Sequence, residues 1–165
     1  MTIVVTAFLA GLGLGSLAGG KLSRRGGAAL LLAFALVEIS IGAYGFVSVP
    51  LFRWISNYSA GMSAVATGSL TFVLVLIPTF FMGATLPLLV AYVVSRNVSV
   101  GSSVGQLYFA NTAGSALASL MTAAFLMREL GESKSVAVAA TINILVGSAV
   151  ILLWAVERKK ATVIT

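Results

Sequence analysis

The sequence predicts an all-α, polytopic membrane protein, with residues 1–165 forming a single transmembrane domain of about five crossing helices. Composition is the first reason. Of 165 residues, 59% are hydrophobic and 8% charged, and the mean hydropathy is +1.10. A soluble domain carries about 25% charged residues, so this chain could not cover a globular surface with polar groups and needs lipid as its solvent. The second reason is length. A hydrocarbon core of about 30 Å takes about 20 helical residues, and five apolar runs reach that, at about 2–20, 28–49, 66–94, 106–127 and 135–156. The third is that nearly all the charges fall between those runs.

Residue types that are missing exclude much chemistry. The chain has no Cys, His or Asp, and its carboxylates are Glu38, Glu129, Glu132 and Glu157. Thiol and imidazole catalysis, zinc sites and Walker-type magnesium sites therefore lack their parts. No catalytic residue, cofactor or metal ligand is expected. The net charge of +6 is scattered in short clusters rather than gathered in a groove, which fits topology signals and not nucleic acid.

The first run, TIVVTAFLAGLGLGSLAGG, invites a nucleotide reading, because Gly13, Gly15 and Ala18 approximate G-x-G-x-x-A and Glu38 follows about twenty residues on. That fingerprint needs a strand, a parallel sheet and βα repeats, and nothing downstream supplies them. On a helix, Ala7, Gly11, Gly15 and Gly19 instead form one smooth stripe, the pattern that lets transmembrane backbones approach closely. The run lacks a positive n-region and is followed by Lys21, Arg24 and Arg25, so it reads as an anchor rather than a cleaved signal.

The second run holds Glu38, about 15 Å into the bilayer at 1.5 Å per residue. A charge at that depth costs about 2.5–3.5 kcal/mol, so Glu38 is protonated, paired or facing a wet cavity. Two readings stand: a cation or proton site, or a hydrogen-bonded structural Glu with Gly42 giving close helix approach. After this run, segment 50–60 places Leu51, Trp54, Ile55 and Tyr58 on one helical face, the pattern of a short interfacial helix; a plain loop is the alternative.

In the third run, Pro78 and Pro87 each remove a backbone donor and free the carbonyls of Leu74 and Gly83. A helix break at Pro78, Gly83 and Pro87 is expected, either as a simple kink or as exposed backbone of the kind transporters use. The fourth run repeats the small-residue device at Ala110, Gly114, Ala118 and Thr122, with Ser115 and Ser119 beside it. It also carries Tyr108, Asn111 and Thr112, expected nearer its cytoplasmic end. The fifth carries Ala139, Asn143 and Gly147, and Asn143 reaches a depth comparable to Glu38, which makes it the candidate partner. Asn111 and Asn143 read equally as packing glue between helices.

Alternate connections carry seven basic residues against three. The positive-inside rule then places the N-terminus outside and the C-terminus in the cytoplasm of a bacterial or archaeal cytoplasmic (inner) membrane.

Four segments carry a family resemblance: FLAGLGLGSLAGGKLSRR, VEISIGAYG, FFMGATLPLLVAY and GQLYFANTAGSALASLMTAAFLM. The most specific pieces are Met82-Gly83-Ala84-Thr85-Leu86-Pro87 and Gly105-x-Leu107-Tyr108-x-x-Asn111-Thr112-x-Gly114. Together they resemble the membrane portion of the fused spermidine-synthase-like proteins, often described as fused MFS/spermidine synthases. The resemblance covers about residues 7–156 and implies an MFS-like partial bundle preceding a cytoplasmic aminopropyltransferase-like domain. It departs in two respects: the family usually has a further helix before this opening one, and the synthase-like domain has no counterpart here. GGKLSRRGG likewise resembles the loop motif of major-facilitator transporters, without its Asp.

The resemblance implies a non-catalytic membrane domain that anchors, or passes substrate to, a polyamine-related enzyme, either a synthase-like cytoplasmic domain or a separate protein. Two other functions fit the residues: a small transporter or channel subunit for a cationic, polyamine-like solute, with Glu38 as its site, and an accessory subunit of a larger membrane complex. Expected partners are the lipid bilayer and a homo-oligomer or larger assembly, with no nucleic acid.

Overall fold

A computed structural model describes residues 2–25, 27–59, 61–96 and 99–163. Among them the chain is helical apart from short turns. Helix α1 spans Thr2–Leu22, α2 Ala28–Ser59, α3 Ala64–Val94, α4 Val100–Met121 and α5 Gly131–Val163. A wide, π-type helical stretch, Thr122–Leu130, joins the last two. The starts of α3 and α4 follow from local chemistry: the Ser63 hydroxyl accepts from the Ala66 amide, and the Ser99 hydroxyl from the Ser102 amide, so each serine satisfies a donor that a helix start leaves free.

By length and composition, four helical stretches could cross a membrane, where five were expected. The difference lies in the last one, the helical stretch Val100–Lys159, which contains both the fourth and fifth apolar runs. It is not straight. Gly131 takes a φ of 72°, a left-handed conformation open to glycine at little cost. Asn111 and Asn143 line one cavity, whereas a straight helix would hold them about 48 Å apart. The chain therefore folds back between them.

Segment 50–60 also differs from expectation. It is not a separate interfacial helix, because α2 runs on through Pro50 to Ser59; Ala60 lies outside the described residues. Trp54 and Tyr58 stack along this extension, 4.9 Å between centroids, and Arg53 donates to the Ser133 hydroxyl at 2.9 Å. The Arg53–Ser133 bond ties the end of α2 to the start of α5.

In space the helices stand in the order α1–α3–α2–α5, with α1 seated on α3, α3 on α2 and α2 on α5. Bare backbone makes the first seam. Ala7, Gly11, Gly15 and Gly19 are the buried residues of α1. A β-carbon at Gly15 would overlap the Phe80 carbonyl, one at Gly19 would lie 2.8 Å from the Ala84 carbonyl oxygen, and one at Gly83 would overlap the Leu12 carbonyl. The seam between α2 and α5 is similar: β-carbons at Gly42 and Gly147 would come within 2.7 Å of the Ala140 oxygen and 2.9 Å of the Ala35 oxygen. Leu30, Phe34 and Leu88 form the apolar centre between α2 and α3.

Helix α4 is the exception. Gly114 does not pack against another helix: nothing lies within 4 Å of where its β-carbon would be. Ala110 and Ala118 are exposed with it, and Ser103 is the one buried residue of α4 among those described. The small-residue stripe is present in α4, yet this fold turns it away from the other helices.

Helix α3 is continuous through Pro78, Gly83 and Pro87, so the helix is not locally broken into exposed backbone there. The compensation comes from its neighbours. The Tyr44 hydroxyl of α2 donates to the Leu74 carbonyl at 2.6 Å, and the Ser16 hydroxyl of α1 donates to the Gly83 carbonyl at 3.0 Å. These are the two carbonyls that the prolines deprive of their helical donors. Where water is absent, a freed carbonyl must find such a partner. Two hydroxyls therefore let a helix with two internal prolines stay whole.

Candidate functional site: a polar cavity beneath helix α4

All the side chains of the site come from helix interiors. Glu38 lies ten residues into α2 and Asn143 twelve residues into α5. Because α2 and α5 run antiparallel, with Arg53 meeting Ser133 at one end and Gly147 meeting Ala35 further along, the two residues arrive at similar height. Asn111 joins them. The expectation that it sits nearer the end of its helix is corrected: Ser99 starts α4 at Val100, six residues before the apolar run begins, which places Asn111 mid-helix.

Glu38, Asn111 and Asn143 line one cavity of about 440 Å³, with Thr85 and Ser115 as further polar walls. Phe8, Leu12, Ile41 and Met82 complete it, so all five helices contribute. Ser115 stands four residues after Asn111, one helical turn along the same face, and that spacing is the signal by which the sequence could have nominated it. Thr85 had no such signal. Its hydroxyl already donates to the Met82 carbonyl at 2.8 Å, and that of Ser115 to the Thr112 carbonyl at 2.9 Å.

Among the described residues, Glu38 forms no hydrogen bond or ion pair, and the Asn111 and Asn143 carboxamides make no side-chain hydrogen bond. None of their polar atoms is sealed from the cavity without a partner. The arrangement is thus an open carboxyl flanked by two carboxamides, each with a carbonyl oxygen able to accept. It can receive donors from a guest, and it supplies no nucleophile activated by a base.

Tyr108 and Thr112 do not belong to this group. Tyr108 is 61% exposed on α4, and Thr112 contributes only its backbone carbonyl to Ser115. Pro78 and Pro87 do not line this cavity; their part is to free the two carbonyls described above.

A second polar cluster closes the opposite end of the bundle from Arg53. Tyr92 donates to Glu157 at 2.7 Å, and Arg96 reaches both the Tyr92 hydroxyl, at 2.9 Å, and the Glu157 carboxylate. The Tyr92 phenol, and after it the Glu157 carboxylate, pushes the Arg96 guanidinium further up from its ordinary range. Glu157 is therefore committed to pinning the end of α5 to the end of α3.

Compared with known proteins, the chain matches no family model, no curated protein and no solved structure. The functional reading accordingly rests on the cavity.

Proposed function

We propose that the chain is an integral membrane domain, crossing the bilayer five times, whose cavity beneath α4 binds a small organic cation at Glu38. One observation carries this: a carboxyl without a hydrogen-bonding or ionic partner among the described residues, opening into about 440 Å³ beside two free carboxamides. An ionisable group in the middle of a membrane-crossing helix is expensive, and a guest that pairs with Glu38 offsets that cost. The volume lies within the range of small-molecule sites and far exceeds the space of a single bare metal ion. The guest's ammonium would meet Glu38 while its remaining donors meet Asn111 and Asn143.

The exposed surfaces support placement in lipid. Leu14, Leu17, Phe109, Leu145 and Leu152 are each more than half exposed, a distribution water would not tolerate. The meeting of Arg53 with Ser133 at one end and of Arg96 with Glu157 at the other agrees with helices that alternate in direction. It is compatible with an external N-terminus and a cytoplasmic C-terminus. The resemblance to the spermidine-synthase-like membrane proteins adds a role for the site, namely holding or passing an amine for a polyamine-related enzyme.

The test is amine binding to the purified chain in lipid nanodiscs, measured by calorimetry for wild type and Glu38→Gln. Binding of an alkylammonium ion that disappears in Glu38→Gln, with helicity and elution volume unchanged, is the expected result. Amine binding of equal strength in the two proteins would remove the proposal. Heat evolved with sodium ions alone, and not with ammonium ions, would replace it with an inorganic cation site.

A further inference from the structure

A second cavity, of about 330 Å³, adjoins the first and shares Ile41 and Asn143 with it as walls. It runs between α2, α3 and α5 toward the Arg53 end of the bundle. Its polar side chains are already committed. The Tyr44 hydroxyl is spent on the Leu74 carbonyl freed by Pro78, and the Ser48 hydroxyl donates to the Gly45 carbonyl at 2.8 Å. The surface left to a guest is hydrocarbon: Ile41, Phe52, Leu74, Val75, Pro78 and Val136.

Building on the cation site proposed above, we infer that the guest is an amphipathic monoamine, with its ammonium on Glu38 and an unbranched apolar chain in this second cavity. The two compartments separate the two halves of such a molecule. One holds the unspent carboxyl and carboxamides, and the other has no polar side chain left to offer beyond the shared Asn143. A polyamine fits this pair poorly. Its second ammonium would be carried along the chain into the apolar compartment, where no carboxylate waits. Glu157 is held by Arg96 and Tyr92 at the far end of α3, Glu129 stands beside Arg128 on the exposed helical stretch before α5, and Glu132, exposed at the start of α5, does not line the second cavity. The resemblance to polyamine-related proteins therefore describes the kind of head group more closely than the whole guest.

Methyl-, butyl- and hexylammonium, with spermidine as the comparison, decide the matter in nanodiscs. Glu38→Gln discs serve as the baseline that subtracts partitioning of the amines into lipid. The expected result is Glu38-dependent affinity that rises about threefold to fourfold per added methylene, with hexylammonium bound more tightly than spermidine. Ala139→Leu, which adds bulk to the second cavity and leaves the first untouched, is expected to flatten that rise while methylammonium binds as before. Affinity independent of chain length, or spermidine bound more tightly than hexylammonium, would overturn the inference and leave the cation site standing. Absence of Glu38-dependent binding by every amine would overturn both.

Discussion

The proline compensation in α3 makes a quantitative claim, and Tyr44→Phe tests it. The substitution keeps the ring and removes only the hydroxyl that donates to the Leu74 carbonyl at 2.6 Å. Leu74 is buried, so its carbonyl has no easy route to water. Hydrogen bonds between membrane helices average about 0.6 kcal/mol and reach about 1.7, while stranding a buried acceptor costs about 1–3 kcal/mol. A short bond to an otherwise orphaned carbonyl belongs near the overlap, at about 1.5 kcal/mol. The decisive step is a second background. Pro78→Ala restores an amide donor to the Leu74 carbonyl from within α3, and a carbonyl has two lone pairs, so Tyr44 becomes dispensable. Tyr44→Phe should then cost less than about 0.5 kcal/mol, giving a coupling of about 1 kcal/mol between two residues on different helices. Unfolding in mixed detergent micelles, followed by the fluorescence of Trp54 and Trp154, measures all four corners of the cycle. If Tyr44→Phe costs the same with proline or alanine at position 78, the compensation argument is wrong, and the contact is incidental.

Glycine substitutions in the same assay should divide sharply. Gly15→Ala drives a β-carbon into the Phe80 backbone and should cost about 1–3 kcal/mol. Gly13→Ala and Gly114→Ala, with nothing within 4 Å, should be neutral or gain up to about 1 kcal/mol from helix propensity; a destabilised Gly114→Ala would mean that α4 is packed against another helix after all. Because the chain has no cysteine, a Gly45→Cys, Ala140→Cys pair offers a clean test of the α2–α5 seam. A β-carbon at Gly45 would sit 2.9 Å from that of Ala140, close enough that a small relaxation reaches disulfide spacing. Mild oxidation should consume both thiols within one chain, and two thiols still titratable would contradict the seam.

How much of this could be read in advance differs from helix to helix. The face of α1 was legible because four small residues recur every fourth position, and a glycine cannot hide that periodicity. Its mate was not, because Thr79, Phe80 and Gly83 show no matching pattern. The stripe through Gly114 shows the other side of the same lesson. Small residues permit close approach without supplying a neighbour, so α1 and α4 share a local pattern and differ in what covers it. The carbonyls freed by Pro78 and Pro87 were equally plain in the sequence. The hydroxyls that rescue them were not, since they come from 30 and 67 residues away. For the cavity, depth alone suggested that Asn143 would stand level with Glu38. Asn111 reaches that height because Ser99 starts its helix early, a capping effect that hydropathy does not register.

The neighbour order of the helices has a consequence for biosynthesis. Ser16 and the Gly83 carbonyl it serves are 67 residues apart in the chain, and the whole of α2 is made between them. At about 5–20 residues per second, a ribosome takes about 3–13 s to cover that distance. Through that interval the nascent first helix carries an uncovered glycine groove, open to any passing helix with a smooth face. Whatever keeps newly made membrane segments apart during those seconds has its clearest task here, and the arrival of α3 ends it.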